Sequence, residues 1–193
     1  MSDVLIRYIR LEGRTMTSSL ASGLRLLRRF RRSERGSAAL EFALVAPTFC
    51  ALLFAIVETS IIFLAGQVLE TINQEAARMI LTGQAQNGSY TQAQFASYVC
   101  SQVPALFTCN NIYIDVESYP SFSSVNITNP IDGSGNFNSS NFQYNPGGPS
   151  DIVVVRLFYQ WPLVVTGLGW NPSNINGNKR LLSATAAFRN EPY

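Results

Sequence analysis

Hydrophobic positions follow two patterns in the first half of the chain. From Phe42 to Val57 there is no charge, and Pro47 and Thr48 are the only interruptions of an apolar run. Beyond it, Val68, Leu69, Ile72, Ala76, Met79 and Ile80 recur at spacings of three and four, while Gln67, Glu70, Gln74, Glu75 and Arg78 fill the opposite face. The first pattern suits a helix surrounded by lipid and the second suits a helix with one side on a protein core. Together they predict one helix from Ser37 to about Thr82, with Gly83 placed to end it. Such a helix of roughly 45 residues is about 68 Å long, and Ser37 to Val57 alone rises about 31 Å, close to the thickness of a bilayer core.

Past Gly83 the period changes. Thr91-Gln92-Ala93-Gln94 has the form of a capping box opening a short helix with Phe95, Val99 and Val103 on one face, ending before Pro104. Ile112, Ile114 and Val116 alternate with Tyr113, Asp115 and Glu117, which predicts a half-buried strand with a solvated outer face. A second strand, from Asp151 to Trp161, puts Val153, Val155, Leu157, Tyr159 and Trp161 on one side and Arg156 and Gln160 on the other. A third, from Arg180 to Arg189, aligns Leu182, Ala184, Ala186 and Phe188. Residues 118–150 are rich in Ser, Asn, Gly and Pro and read as a flexible loop, and Gly167, Gly169, Pro172 and Gly177 punctuate the last connection. Three strands with one apolar face need a cover, and the amphipathic half of the long helix is the one large surface that supplies it. The expected class is α+β: a long amino-terminal helix, transmembrane in its first half, packed on a small antiparallel sheet.

Charge divides the chain in the same place. Residues 1–36 hold nine arginines against Asp3, Glu12 and Glu34, a net +6, whereas residues 37–193 hold five basic groups against nine acidic ones, a net −4. The pI near 8.5 therefore belongs to the leader and gives no ground for a nucleic-acid partner. A basic flank stays cytoplasmic, so residues 1–36 are expected inside, 37–66 in the bilayer and 67–193 exported to the periplasm. A cleaved secretory signal peptide would share the basic and apolar regions, but ahead of Gly66 the −3 residue is Phe63, which spoils a small-x-small site. Met16 offers a second start, and Ser18 to Arg32 mixes leucine and arginine in a way that also suits an anionic membrane surface.

The chemistry is sparse. The chain has no histidine, which excludes Ser-His-Asp and Cys-His catalysis and histidine-ligated zinc within it. Its carboxylates are scattered: Asp115 and Glu117 read as a strand face, and Asp132 and Asp151 as singles, so an exported hydrolase has little support and neither cofactor nor metal is expected. Cys100 and Cys109 lie in the exported part, where a disulfide would clip the short helix to the first strand, against the alternative of two free thiols. Cys50 falls in the apolar run as a small lipid-facing or core residue. Glu41, at the start of that run, is either a headgroup residue or a functional carboxylate, because charge near hydrocarbon is costly. Glu58, near the far interface, reads as a snorkelling residue or, less simply, as an assembly contact.

Two blocks carry a family resemblance. RRSERG followed by SAALEF resembles a class III prepilin cleavage site: basic leader, glycine, then glutamate as the fifth residue of the mature chain. SERGSAALEFALVAPTF and the terminal LLSATAAFRNEPY resemble the TadE-like family of tight-adherence (Tad) pilus assembly proteins, which are minor pilins or pseudopilins. The resemblance implies cleavage between Gly36 and Ser37 by a prepilin peptidase, and an assembly role for Glu41 beside Phe42, its carboxylate meeting the freed amine of Ser37 on the same or a neighbouring subunit. It further implies a non-catalytic part in a Tad-type (type IVb, Flp) pilus. The implied partners are TadF-like or TadG-like subunits, inner-membrane platform proteins and the lipid bilayer, in a hetero-oligomer of the bacterial inner membrane. The alternative is an unprocessed single-span scaffold of a secretion or envelope complex.

Overall fold

The computed structural model describes residues 36–165 and 169–193. The amphipathic leader, the alternative start at Met16 and the turn at Gly167 lie outside the described residues. The chain divides into two units, residues 1–50 and 51–193. Of the first, the described part is Gly36 and the opening of helix α1, Ser37–Leu81, which continues into the second.

Helix α1 is one unbroken element of 45 residues, with Pro47 inside it. Leu40, Phe42, Leu44, Val45 and Phe49 are exposed, and so are Leu52, Phe54, Ile56 and Phe63 further along. Among the described residues it is the one helix long and apolar enough to cross a membrane, and none of its most apolar window is buried in protein. Hydroxyls further along it fold back on the helix itself: Thr59 donates to the Ala55 carbonyl at 2.7 Å and Ser60 to that of Ile56 at 2.8 Å. Polar groups on a lipid-facing helix are satisfied in this way, without water.

From Ile62 onward α1 acquires a buried face of Ile62, Ala65, Leu69, Ile72, Ala76, Ala77, Met79 and Ile80. The helix ends through Gly83, whose φ of +73° places it in the left-handed region. A Cβ there would also lie 2.3 Å from the Tyr193 ring, so close packing and backbone both require glycine. A short helix α2, Gln84–Asn87, follows directly and was not foreseen. Helix α3, Gln92–Ser101, starts with the expected capping box: Thr91 Oγ1 accepts from Gln94 N–H and Gln94 Oε1 accepts from Thr91 N–H. Phe95 and Val99 are its fully buried residues.

Three strands, β1 (Ile112–Tyr119), β2 (Ile152–Pro162) and β3 (Lys179–Arg189), form an antiparallel sheet in the order β1-β2-β3. The expected alternation holds on the inner face, where Ile114, Val116, Val153, Val155, Leu157, Leu182 and Ala184 join the α1 residues in one core. The architecture is thus α+β, with the amphipathic half of the long helix covering a three-stranded sheet.

The outer face departs from expectation. Phe158, Ile175 and Leu181 form a second apolar cluster, packed by Tyr113, Ile131, Phe137 and Phe142. Phe142 stacks on Phe158 with ring centroids 5.1 Å apart, and Tyr113 meets Phe137 edge-on at 4.7 Å. The serine- and asparagine-rich connection between β1 and β2 is therefore a second layer. It also pairs with β1, since Val116 N–H donates to Gln143 O and Asn145 N–H to Val116 O, each at 2.8 Å.

The carboxyl terminus locks α1 to the sheet. Glu191 N–H donates to the Leu81 carbonyl at 3.0 Å, satisfying one acceptor at the helix end, and buried Asn190 donates to the carbonyls of Pro146 and Gly148.

Candidate functional site

Chemistry-bearing residues gather on α1. Ser37 opens the helix and donates from Oγ to Glu41 Oε1 at 3.1 Å, one turn later, with both residues exposed. Phe42 beside them is 73% exposed. Glu41 therefore stands on an apolar helix with only a hydroxyl on it, a carboxylate open to a cation from outside. Gly36 precedes the helix, with no heavy atom of the described residues beyond its chain neighbours within 4 Å of where a Cβ would sit.

Glu58 behaves differently from the snorkelling residue expected at the interface. It is 7% exposed, and its carboxylate accepts the N–H groups of Val164 and Val165, the latter at 3.2 Å to each oxygen. Two backbone donors compensate the desolvated charge. The connection leaving β2 is thereby tied to α1.

Cys100 and Cys109 are joined in a disulfide with Cα atoms 5.4 Å apart, linking the end of α3 to the turn that enters β1. Cys50 is free and exposed on α1.

The pairing that sequence reasoning missed lies on the outer sheet face. Asp115 and Glu117 do not form a solvated surface: Asp115 is fully buried and stands directly across from Arg156 in the β1-β2 register. Arg156 donates from Nε to Asp115 at 3.0 Å and from Nη2 to both Asp115 and Glu117, and its Nη1 reaches the Thr128 carbonyl at 2.8 Å. Its guanidinium also lies 5.6 Å from the Phe158 ring centroid. Burial pushes the Asp115 carboxyl above its ordinary range, against the opposing pull of the Gln143 N–H and of Arg156. The signal in the sequence was a lone arginine in the strand run VVVRLFYQW and a lone aspartate among apolar residues; neither names its partner until register is known. The remaining single carboxylates belong to turns. Asp132 accepts from the N–H groups of Ser134 and Asn136, which hold its carboxyl below the usual range, and Asp151 accepts from Gly148 N–H and Ser118 Oγ. Among the described residues no three metal-ligating side chains converge.

The segment that holds Gly36 and, on the helix after it, Ser37, Glu41, Phe42 and Glu58 is also the segment with a recognisable relative. Residues 36–78 match the model of a protein family described as TadE-like protein. Over these residues the chain is similar to that family. The match opens at Gly36, one residue before α1, and closes three residues before the helix ends. It leaves the sheet and the terminal LLSATAAFRNEPY outside. No curated protein and no solved structure matches the chain. The TadE-like match points to a Tad pilus-associated protein, and an apolar helix long enough to cross a membrane fits that assignment.

Proposed function

We propose that this protein is a non-catalytic minor pilin or pseudopilin-like subunit of a Tad-type pilus. In this reading a prepilin peptidase cuts after Gly36, and Ser37 becomes the amino terminus of a single-span inner-membrane protein. Arginine-rich residues 1–36 lie in the cytoplasm and residues 67–193 in the periplasm. The observation that carries the reading is the placement of Glu41. It sits one turn into a helix that begins at Ser37, on a face that is apolar and exposed, with no cationic partner among the described residues. A carboxylate facing hydrocarbon is stabilised by a cation of the same depth, and the amine released at Ser37 of this or a neighbouring subunit is the cation that processing would create. Partners of the helix would be other pilin-like subunits, of TadF-like or TadG-like type, and platform proteins in the same membrane.

The test is intact-mass and amino-terminal analysis of the membrane form from cells with an active prepilin peptidase. Ser37 is expected as the first residue. A chain that keeps Arg35 and Gly36 would instead support an unprocessed envelope scaffold.

A further inference from the structure

Between Leu157 and Asn178 the chain carries no charged residue. The described parts of the connection from β2 to β3 turn apolar side chains outward: Val164 is 86% exposed and Trp170 50%. Single exposed apolar residues are ordinary on protein surfaces. These two belong to a connection that Glu58 ties to α1, where the neighbouring helix residues Phe54, Val57 and Ile61 are themselves exposed.

Where the connection leaves β2, its backbone is paired within the protein. Leu163 N–H donates to Asn178 O at 3.1 Å, and Val164 and Val165 N–H donate to Glu58, so three consecutive amides of an irregular segment are satisfied inside the protein. Irregular backbone next to lipid has to meet that condition, because hydrocarbon offers no hydrogen bonds. A loop in open water has no need of a buried carboxylate for the purpose. The first charges after the connection, Lys179 and Arg180, are both basic, as the phosphates of a headgroup layer would favour.

We propose that the described parts of the connection from β2 to β3, at Val164 and at Trp170, meet the interfacial layer of the bilayer that α1 crosses, with Val164 at the acyl boundary and Trp170 at headgroup level. Glu58 is the positioning residue that holds the dipping segment against the helix. The folded domain then has a second membrane contact besides the helix. The inference rests on the reading of α1 as membrane-spanning.

The experiment is depth-dependent fluorescence quenching on the full chain in vesicles of phosphatidylethanolamine and phosphatidylglycerol. The chain has two tryptophans, so Trp161→Phe leaves Trp170 as the sole reporter. A second chain, Phe49→Trp with both native tryptophans changed to phenylalanine, reports on the helix. Trp170 is expected to be quenched by lipid brominated near the headgroup and shielded from acrylamide. Glu58→Ala should reduce that quenching several-fold while the Phe49→Trp signal stays unchanged. If the helix reporter meets lipid but Trp170 meets only acrylamide, the dipping loop is overturned and the spanning helix stands. If neither reporter meets lipid, both fall. A Trp170 shielded from acrylamide yet untouched by brominated lipid would be covered by protein, which also overturns the proposal. Should Glu58→Ala fail to fold, the Trp170 measurement on the otherwise native chain still decides the matter.

Discussion

Arg156 holds a guanidinium under two aromatic rings and distributes it over Asp115, Glu117 and the Thr128 carbonyl. At 3% exposure it has no water to fall back on. Its energetic weight lies in what is left behind when one partner goes: breaking a buried ion pair from one side costs about 3–5 kcal/mol, because the other charge stays buried alone. Arg156→Met is therefore expected to destabilise the full chain in detergent by about that amount, and Asp115→Leu likewise, whereas the two combined should cost much less than the two added together. Denaturant unfolding of the three chains checks this, and additive losses would refute the pairing. Tyr144 supplies a second residue-level test. Burial, together with neighbouring Tyr90, raises its hydroxyl from 10 to about 12. A raised value means that the folded state keeps the proton longer than the unfolded chain. The contribution is complete below pH 10 and is lost as pH rises to about 12. Burial also raises the hydroxyls of Tyr119 and Tyr193, so alkaline titration of phenolate absorbance should show a late component, and Tyr144→Phe should reduce it.

At the scale of elements, the disulfide closes a loop between positions 9 apart, Cys100 at the end of α3 and Cys109 at the turn into β1. Constraining so short a loop stabilises by about 2–3 kcal/mol in the chain-entropy picture. Replacing both cysteines by serine should lower the unfolding midpoint of the full chain accordingly, and reduction of the native chain should do the same. A native chain whose thiol titre does not change on reduction would show that the bond is absent. These elements differ in how legible they were. The strands' inner faces follow from period-two alternation, and α1 from period 3.6 with a glycine stop, because those signals are local in sequence. The outer face was not legible. Val154 and Phe158 break the alternation on β2, and the cover of Phe158 comes from Phe137 and Phe142 in a stretch whose composition reads as loop. Asp115 and Arg156 lie 41 residues apart, and Glu58 and Val164 lie 106 apart. Such contacts depend on register and on where the sheet meets the helix, which no local pattern encodes. In the candidate site, the spacing of Gly36, Ser37 and Glu41 was readable for the same local reason that the burial of Glu58 was not.

For the molecule as a whole, α1 serves two environments, and its carboxylates divide accordingly. Glu58 is closed off by backbone amides of its own chain, whereas Glu41 is exposed with only Ser37 Oγ against it. One carboxylate is consumed by the fold and the other is exposed, as the proposed assembly role requires. Substituting Glu41 should therefore separate folding from assembly. Glu41→Gln keeps the size and the acceptor from Ser37 but removes the charge, and Glu41→Ala removes both. Both chains are expected to insert in the membrane and to unfold within about 0.5 kcal/mol of the native chain, as exposed substitutions away from packed contacts do. Both should lose association with pilin-like partners, since an amine in a low-dielectric seam has no comparable attraction to an amide. Co-purification of cross-linked subunits from cells bearing each variant, read beside membrane fractionation, measures the two effects separately. Native levels of association in Glu41→Gln would mean that charge at this position is not what the helix contributes, and the assembly role would pass to the apolar surface around Phe42.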